Sequence, residues 1–186
     1  DNCGACDNDS DNDCVQDCAG TWGGTAAVDE CDVCGGDNTS CDPSLLVPDE
    51  YSNIQSAINA SNNGDEIIVS SGIYYEHLEI TGKTISIIGS SRENTIIHGN
   101  NNGRAFEITS FSEADISSLS ITNGVGQPGG GVYISESTVT IHDVDIKENT
   151  GHGNGAGLSA NLSDLNMYNV KVYDNNCISG SCDGGG

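Results

Sequence analysis

Residues 129–149 read GGGVYISESTVTIHDVDIKEN, and residues 155–175 read GAGLSANLSDLNMYNVKVYDN. The second stretch repeats the first at a distance of 26 residues, with apolar residues opposite apolar residues and Asn149 opposite Asn175. A fixed period of this length is typical of a solenoid, in which each repeat buries its apolar face only by stacking on a neighbour. The repeat therefore predicts an architecture of stacked coils.

Two features of the repeat predict its local structure. We expect Asn149 and Asn175 to stack inside a turn as an asparagine ladder, each amide bonding its neighbour and nearby backbone. Gly129 and Gly155 begin their repeats, where we expect tight turns with positive φ or close backbone approach. No Lys follows these glycines and no strand leads into a helix there, which excludes a phosphate-binding loop.

The chain before the repeat shows the same alternation of short apolar runs and turns. Ile54, Ala57 and Ile58 fall at helical spacing, which predicts a short amphipathic helix over residues 51–60. Strands are predicted at residues 45–47, 67–69, 84–88, 95–98, 105–108, 114–116 and 119–121. The last of these lies 25 residues before the matching part of the repeat, so it belongs to the same coil one turn earlier. About four coils are expected.

Three segments carry a family resemblance: VPDEYSNIQSAINAS, GDEIIVSSGIYYEHLEI and GKTISIIGSSRENTIIHGN, at residues 47–61, 64–80 and 82–100. They closely resemble the N-terminal cap of right-handed parallel β-helices of the pectin-lyase-like superfamily. The resemblance implies an all-β fold, a right-handed parallel β-helix over residues 44–186, with a short capping α-helix over its N-terminal end. An irregular disulfide-rich segment, residues 1–43, is expected to precede it.

Composition limits the possible partners and compartment. The net charge of the 186 residues is −23, and no Lys or Arg precedes Lys83, which argues against nucleic acid binding. No apolar run is long enough to span a membrane. Seven of the nine cysteines lie between Cys3 and Cys41, which predicts an oxidising compartment and a secreted, extracellular or cell-surface protein.

The cysteine-rich segment contains a repeat of its own, since residues 1–14 parallel residues 29–41. The first copy lacks the leading cysteine that the second has, so we expect the chain to begin inside a longer array, with one thiol lacking its partner. A zinc site built on the two CxxC pairs is the alternative to disulfides. A local disulfide is expected near the C-terminal end, between the last two cysteines. The disulfide candidates are Cys3, Cys6, Cys14, Cys18, Cys31, Cys34, Cys41, Cys177 and Cys182.

Alternate carboxylates predict a metal site in the same segment. Asp7, Asp9, Asp11 and Asp13 supply the hard oxygen ligands that Ca²⁺ prefers, although the spacing excludes an EF-hand. The stretch resembles the Asp-rich calcium-binding repeats of the thrombospondin type, and a solvated acidic loop is the alternative. Residues 17–41 also resemble modules that recur in tandem in secreted bacterial surface proteins, where they act as spacers or stalks.

Catalytic residues are not evident, although pectin-lyase-like folds often host polysaccharide lyases or hydrolases. None of the five basic residues lies in a recognisable catalytic motif. His142 and Asp143 are adjacent on a predicted strand, so their side chains should point to opposite faces. Asp143 and Asp145 could share an outward face, but Asn169 and Lys171 at the aligned positions interrupt any acidic groove. The sequence therefore predicts no enzyme.

The C-terminal end suggests an assembly. Residues 184–186 stand where a further coil should begin, without a capping element. An open solenoid end exposes strand edges, so we expect end-to-end self-association or continuation in a longer chain. The predicted function is an extracellular structural protein of a surface fibre, filament, stalk or adhesin. The alternative is a carbohydrate-binding or polysaccharide-cleaving β-helix module with a glycan as its partner.

Overall fold

A computed structural model describes residues 15–28, 34–35, 44–153 and 155–179. Its contacts divide the chain into two units, Asp1–Pro43 and Ser44–Gly186.

The second unit alternates short strands with tight turns and contains one helix near its start. Its elements, in chain order, are β1 (Ser44–Val47), α1 (Ile54–Ala60), β2 (Glu66–Val69), β3 (Gly72–Tyr74), β4 (Leu78–Thr81), β5 (Thr84–Gly89), β6 (Thr95–His98), β7 (Phe106–Thr109), β8 (Glu113–Thr122), β9 (Val125–Gly126), β10 (Val132–Ser135), β11 (Thr138–Lys147), β12 (Thr150–His152), β13 (Leu158–Asn161), β14 (Asp164–Tyr168), β15 (Lys171–Tyr173) and β16 (Asn176–Ser179).

These strands form three parallel sheets that run along the solenoid. The nine-stranded sheet, here called the long sheet, has the order β1-β2-β5-β8-β11-β14, with β3, β6 and β15 paired beside that path. The side sheet has the order β13-β10-β7-β4, and a short sheet has the order β16-β12-β9. Each strand pairs in parallel with the equivalent strand one coil away, so the fold is a parallel β-helix of about five turns. The sequence predicted about four.

Strand register confirms the 26-residue repeat. Val139 pairs with Leu165, and Val132 pairs with Leu158 on the side sheet. The inward-facing side chains therefore stack in columns, and one such column is formed by Ile87, Ile116 and Ile141, all fully buried. Burying a side chain of this size stabilises the fold by about 1.5–3 kcal/mol.

Two predicted strands, at residues 114–116 and 119–121, are one bent strand. β8 runs unbroken from Glu113 to Thr122, and its bend lies at Ser118, where φ is +56°. The equivalent residues of the next coils, Asp143 and Asn169, have φ values of +55° and +51°. Positive φ is uncommon at residues other than glycine, so a continuous strand bent at Ser118 was not expected, and two separate strands were predicted. We call these three residues the left-handed column.

The helix begins later than predicted, at Ile54 rather than at residue 51. Asn53 is extended and its side chain accepts a hydrogen bond from the Ser56 backbone N–H, which is the geometry of an N-cap. Ile54, Ala57 and Ile58 are buried, as their helical spacing predicted.

Residues of the following coil bind both ends of α1. The Glu76 carboxylate accepts hydrogen bonds of 2.9 Å from the backbone N–H groups of Ile54 and Gln55. The Lys83 ammonium donates to the backbone oxygens of Ser61, at 2.6 Å, and Asn59, at 3.3 Å. A carboxylate at the N-terminus and a cation at the C-terminus both favour the helix dipole. The cap is thus held to the solenoid through polar contacts as well as apolar ones.

The asparagine ladder is present. Asn149 is fully buried, and its Nδ2 donates to Asn175 Oδ1 at 3.0 Å and to the Ile121 carbonyl at 3.1 Å. Its Oδ1 accepts from the Gly124 N–H at 2.8 Å. Gly129 and Gly155, which begin the two repeats, have φ values of +69° and +68°, as expected for tight turns.

The described part of the first unit is a small, exposed loop structure. A disulfide joins Cys18 and Cys34, so Cys34 is not available as a zinc ligand. The Asp17 carboxylate accepts hydrogen bonds from three backbone N–H groups, and the one from Thr21 contributes most to lowering its pKa. Cys177, in the second unit, is also disulfide-bonded. The other cysteine candidates, Cys3, Cys6, Cys14, Cys31, Cys41 and Cys182, lie outside the described residues.

Candidate functional site

Two features lie on or next to the outer face of the long sheet. One is a charged cluster of Arg92, Asp115, His142, Asp143 and Asp145, here called the Arg92 cluster. The other is an open groove where the chain turns from the side sheet into the long sheet.

His142 lies between two carboxylates. Its Nδ1 is 3.2 Å from Asp143 Oδ2, and its Nε2 is 3.2 Å from Asp115 Oδ1. The Asp115 pair is close enough for an ion pair but is not aligned for a hydrogen bond. The prediction that His142 and Asp143 point to opposite faces is wrong. Asp143 belongs to the left-handed column, and its positive φ breaks the alternation of side chains along the strand, so the carboxylate reaches the imidazole.

Arg92 joins the cluster from the turn between β5 and β6. Its Nη1 donates to Asp145 Oδ1 at 2.9 Å, and its Nη2 lies 3.4 Å from Asp143 Oδ1. Nη2 also donates to the Asn169 carbonyl at 2.9 Å, one coil further along. The side chains of Arg92 and Asp145 are only 13% and 12% exposed. Arg92 therefore ties three coils together, and Asp143 and Asp145 have it as a common partner, which the sequence did not predict.

The Asp143 carboxylate is occupied by partners on both oxygens. Oδ2 faces His142, and Oδ1 accepts from the Asn169 amide and faces Arg92. The hydrogen bond with His142 is the largest cause that lowers the pKa of Asp143, followed by the one from Asn169. These partners favour the ionised form of Asp143, whose side chain is 49% exposed. Asp143 thus links His142, Asn169 and Arg92, which is a structural role.

The groove, here called the turn groove, has a volume of about 520 Å³. Its wall is formed by equivalent residues of three successive turns, Phe111, Glu136 and Leu162, all with positive φ. Phe111 is 84% exposed and Leu162 is 78% exposed. These are two of the most exposed apolar side chains among the described residues, and because they lie along one groove they mark a candidate contact site.

A serine ladder fixes this wall. The backbone N–H of Ser112 donates to Ser137 Oγ, and the N–H of Ser137 donates to Ser163 Oγ, each at 3.2 Å. These serines follow the wall residues directly, and their hydroxyls also donate to backbone carbonyls. The ladder therefore satisfies backbone polar groups in each of the turns that carry the wall residues.

The turn groove continues onto the face of the long sheet. A second groove of about 200 Å³ shares Glu113 and Thr138 with it and reaches Asp115 and Thr140. Glu113, Thr138 and Asp164 begin β8, β11 and β14 and lie in one row across these strands. The result is a shallow channel with apolar walls at one end and carboxylates and hydroxyls along its floor.

This channel was not predicted from the sequence. A signal was present, because Ser112, Ser137 and Ser163 recur at spacings of 25 and 26 residues. Extending the repeat alignment one turn earlier would have placed Phe111, Glu136 and Leu162 at one equivalent position. What the alignment could not provide is their exposure, which depends on positive φ at non-glycine residues.

No described residues bring together three or more His, Cys, Asp or Glu side chains in a group that could hold a metal ion. The predicted calcium ligands Asp7, Asp9, Asp11 and Asp13 lie outside the described residues. Within the described ranges there is also no helix long and apolar enough to cross a membrane.

Comparison with known proteins adds little beyond the fold. No family model matches the chain, and no curated protein matches it. A crystal structure of a pectin methylesterase mutant in complex with a hexasaccharide is similar, with a TM-score of 0.45 and 15% sequence identity. The match covers 70% of this chain and 48% of that one, so this chain spans about half the length of that protein. A similarity this low gives no evidence about the activity of this protein. The β-helix implied by the resemblance to pectin-lyase-like proteins is confirmed by the strand register.

Proposed function

We propose that the protein is an extracellular glycan-binding module, and that the turn groove and its continuation on the long sheet form the binding surface. The observation that carries the proposal is the wall of exposed Phe111 and Leu162 beside the carboxylates of Glu113, Glu136 and Asp164. This is the alternative that the sequence left open, and the geometry favours it over a purely structural role.

Sugar chemistry matches this surface. A pyranose ring has an apolar C–H face, which packs on an aromatic or aliphatic side chain, and a rim of hydroxyls that need acceptors. Ionised carboxylates are acceptors with several lone pairs each, and serine and threonine hydroxyls can both donate and accept. An open, elongated channel suits a chain polymer better than a small metabolite, which is usually enclosed in a pocket.

The proposal is for binding, and the partners of Asp143 and Asp145 favour a structural role over a catalytic one for the Arg92 cluster. A glycosidase requires one carboxyl to protonate the leaving group and a second to act as base or nucleophile. Asp143 has partners on both oxygens, and Asp145 accepts from Arg92 and lies 3.4 Å from the Tyr173 hydroxyl. The cluster would therefore hold the shape of the binding face across several coils.

The extracellular part of the proposal is supported by the Cys18–Cys34 disulfide, since disulfides persist in oxidising compartments. Calcium binding by the Asp-rich segment remains a prediction.

Binding to immobilised polysaccharides and to a glycan array tests the proposal. Phe111→Ala should weaken binding to the preferred glycan by about tenfold, because an aromatic contact contributes roughly 0.5–1.5 kcal/mol beyond the buried area. Tyr75→Ala is the matched control, since Tyr75 is also an exposed aromatic residue and lines neither groove. Equal loss in both variants, or binding to no glycan, would refute the proposal.

A structural role in a surface fibre or stalk is the second candidate. It is favoured by the ladders of serine and asparagine, which link equivalent turns of neighbouring coils. Negative-stain imaging of unreduced protein with calcium present tests it, and regular fibres with a rise of a few coils are the expected result. Dispersed single particles at all concentrations would speak against it.

A further inference from the structure

The channel is strongly acidic. Four carboxylates line the two grooves, those of Glu113, Asp115, Glu136 and Asp164. No Lys, Arg or His is found among the described residues that line either groove.

Nearby cations are engaged elsewhere. The Arg92 guanidinium contacts Asp143, Asp145 and the Asn169 carbonyl, and it is largely buried. Lys147 lies over the ring of Tyr173, with its Nζ 5.8 Å from the centroid. His142 lies between Asp115 and Asp143, and the Lys83 Nζ donates to the Ser61 carbonyl. A polyanionic ligand in the channel would therefore meet like charge from the lining carboxylates, and the net charge of −23 adds to that repulsion.

From this charge pattern we infer that the channel selects a cationic glycan, a polymer of amino sugars whose amines are free rather than acetylated, over neutral and uronate glycans. The inference rests on the proposed glycan-binding function and gives its substrate class. Each protonated amine would pair with a channel carboxylate, while the sugar rings pack against Phe111 and Leu162.

Spacing supports the pairing. Glu113 and Asp164 flank Thr138 in one row of adjacent parallel strands, so their backbones are two strand spacings apart, about 10 Å along the solenoid axis. An extended β-1,4-linked glycan presents equivalent groups at a similar interval every second sugar. Carboxylates from alternate coils can therefore meet amines from successive disaccharides without distortion of either chain.

The experiment compares three hexasaccharides of matched length by calorimetry with the full chain at mildly acidic pH. The probes are the glucosamine hexamer, the N-acetylglucosamine hexamer and the galacturonate hexamer. We expect the glucosamine hexamer to bind at least tenfold more tightly than the other two at low ionic strength. The preference should shrink at physiological ionic strength, where the Debye length is about 8 Å.

Variants locate the effect. Glu136→Gln and Glu113→Gln should each weaken binding of the glucosamine hexamer by up to about fivefold, the range of an exposed ion pair, with little effect on the N-acetylated hexamer. Glu79→Gln is the matched control, since Glu79 is exposed on the side sheet and lines neither of these grooves.

Each other outcome overturns the inference in a recognisable way. Equal or tighter binding of the N-acetylated hexamer refutes charge selection but leaves glycan binding intact. Tight binding of the galacturonate hexamer, whether direct or only with calcium added, refutes it as well. A hexalysine peptide that binds as tightly as the glucosamine hexamer would point to a basic protein partner instead. Binding of no hexasaccharide would remove both the inference and the proposed function.

Discussion

Replacing Arg92 with methionine should destabilise the β-helix far more than removal of a surface charge. The change keeps much of the aliphatic stem but leaves Asp145, whose side chain is 12% exposed, without its ion-pair partner. Removing one partner of a buried ion pair costs about 3–5 kcal/mol, because the other charge stays buried and uncompensated. The Tyr173 hydroxyl, 3.4 Å from Asp145 Oδ2, offsets part of this, so we expect the lower end, about 3 kcal/mol.

Thermal unfolding followed by circular dichroism measures the effect. For a domain of this size 1 kcal/mol corresponds to about 2–4 °C in Tm, so Arg92→Met should lower Tm by about 6–12 °C. Lys171→Met is the matched control, because it removes the same charge from an exposed residue paired with Asp145 in the sheet, and its effect should stay within about 0.5 kcal/mol.

A second substitution separates the buried charge from lost packing. Asp145→Asn in the Arg92→Met background removes the uncompensated charge and should recover at least half of the lost stability. A fall in Tm of less than about 2 °C for Arg92→Met, or no recovery in the double variant, would show that Arg92 does not brace the coils in the way described.

Three further predictions concern the ladder, the helix cap and acid stability. Asn149→Ala should cost about 3 kcal/mol in urea unfolding, because it leaves the Gly124 N–H and the Ile121 carbonyl without their partner, whereas Asn175→Ala, at a half-buried site, should cost less. Glu76→Gln should increase hydrogen exchange at the amides of Ile54 and Gln55 severalfold, while Glu79→Gln should leave them unchanged. The pKa of Asp143 is lowered from 3.8 on folding, so its contribution is complete above pH 3.8 and is lost as the pH falls through the lowered value. Asp143→Asn should therefore show a weaker dependence of Tm on pH below 3.8, and an unchanged dependence would contradict the assignment.

The parallel β-helix could be predicted because its determinants are periodic. Apolar residues such as Val139 and Leu165 must recur at the coil length if they are to stack, and that recurrence is visible in the sequence. The asparagine ladder was predictable for the same reason, since an amide that bonds its equivalent one coil away must also recur.

The parts that were mispredicted depend on backbone conformation or on distant partners. Ser118 and Asp143 adopt positive φ without being glycine. The sequence pattern could not show this, so β8 was predicted as two strands, and His142 and Asp143 were predicted to lie on opposite faces. The helical spacing of the apolar residues suggested a helix from residue 51, but Asn53 caps it and the Glu76 carboxylate binds its first amides. The turn groove needs the same kind of information, since its wall residues Phe111, Glu136 and Leu162 adopt positive φ without being glycine.

The contacts at the two ends of α1 can form only in the order in which the chain is synthesised. Lys83 lies 22 residues after Ser61, the residue whose carbonyl it binds, and Glu76 lies 22 residues after Ile54. At 5–20 residues per second, the ribosome adds Lys83 or Glu76 roughly one to four seconds after the helix residue that it binds. Until then the nascent helix has no charged partner at either end. The charged contacts that hold the N-terminal cap can therefore form only after the first coil has been translated.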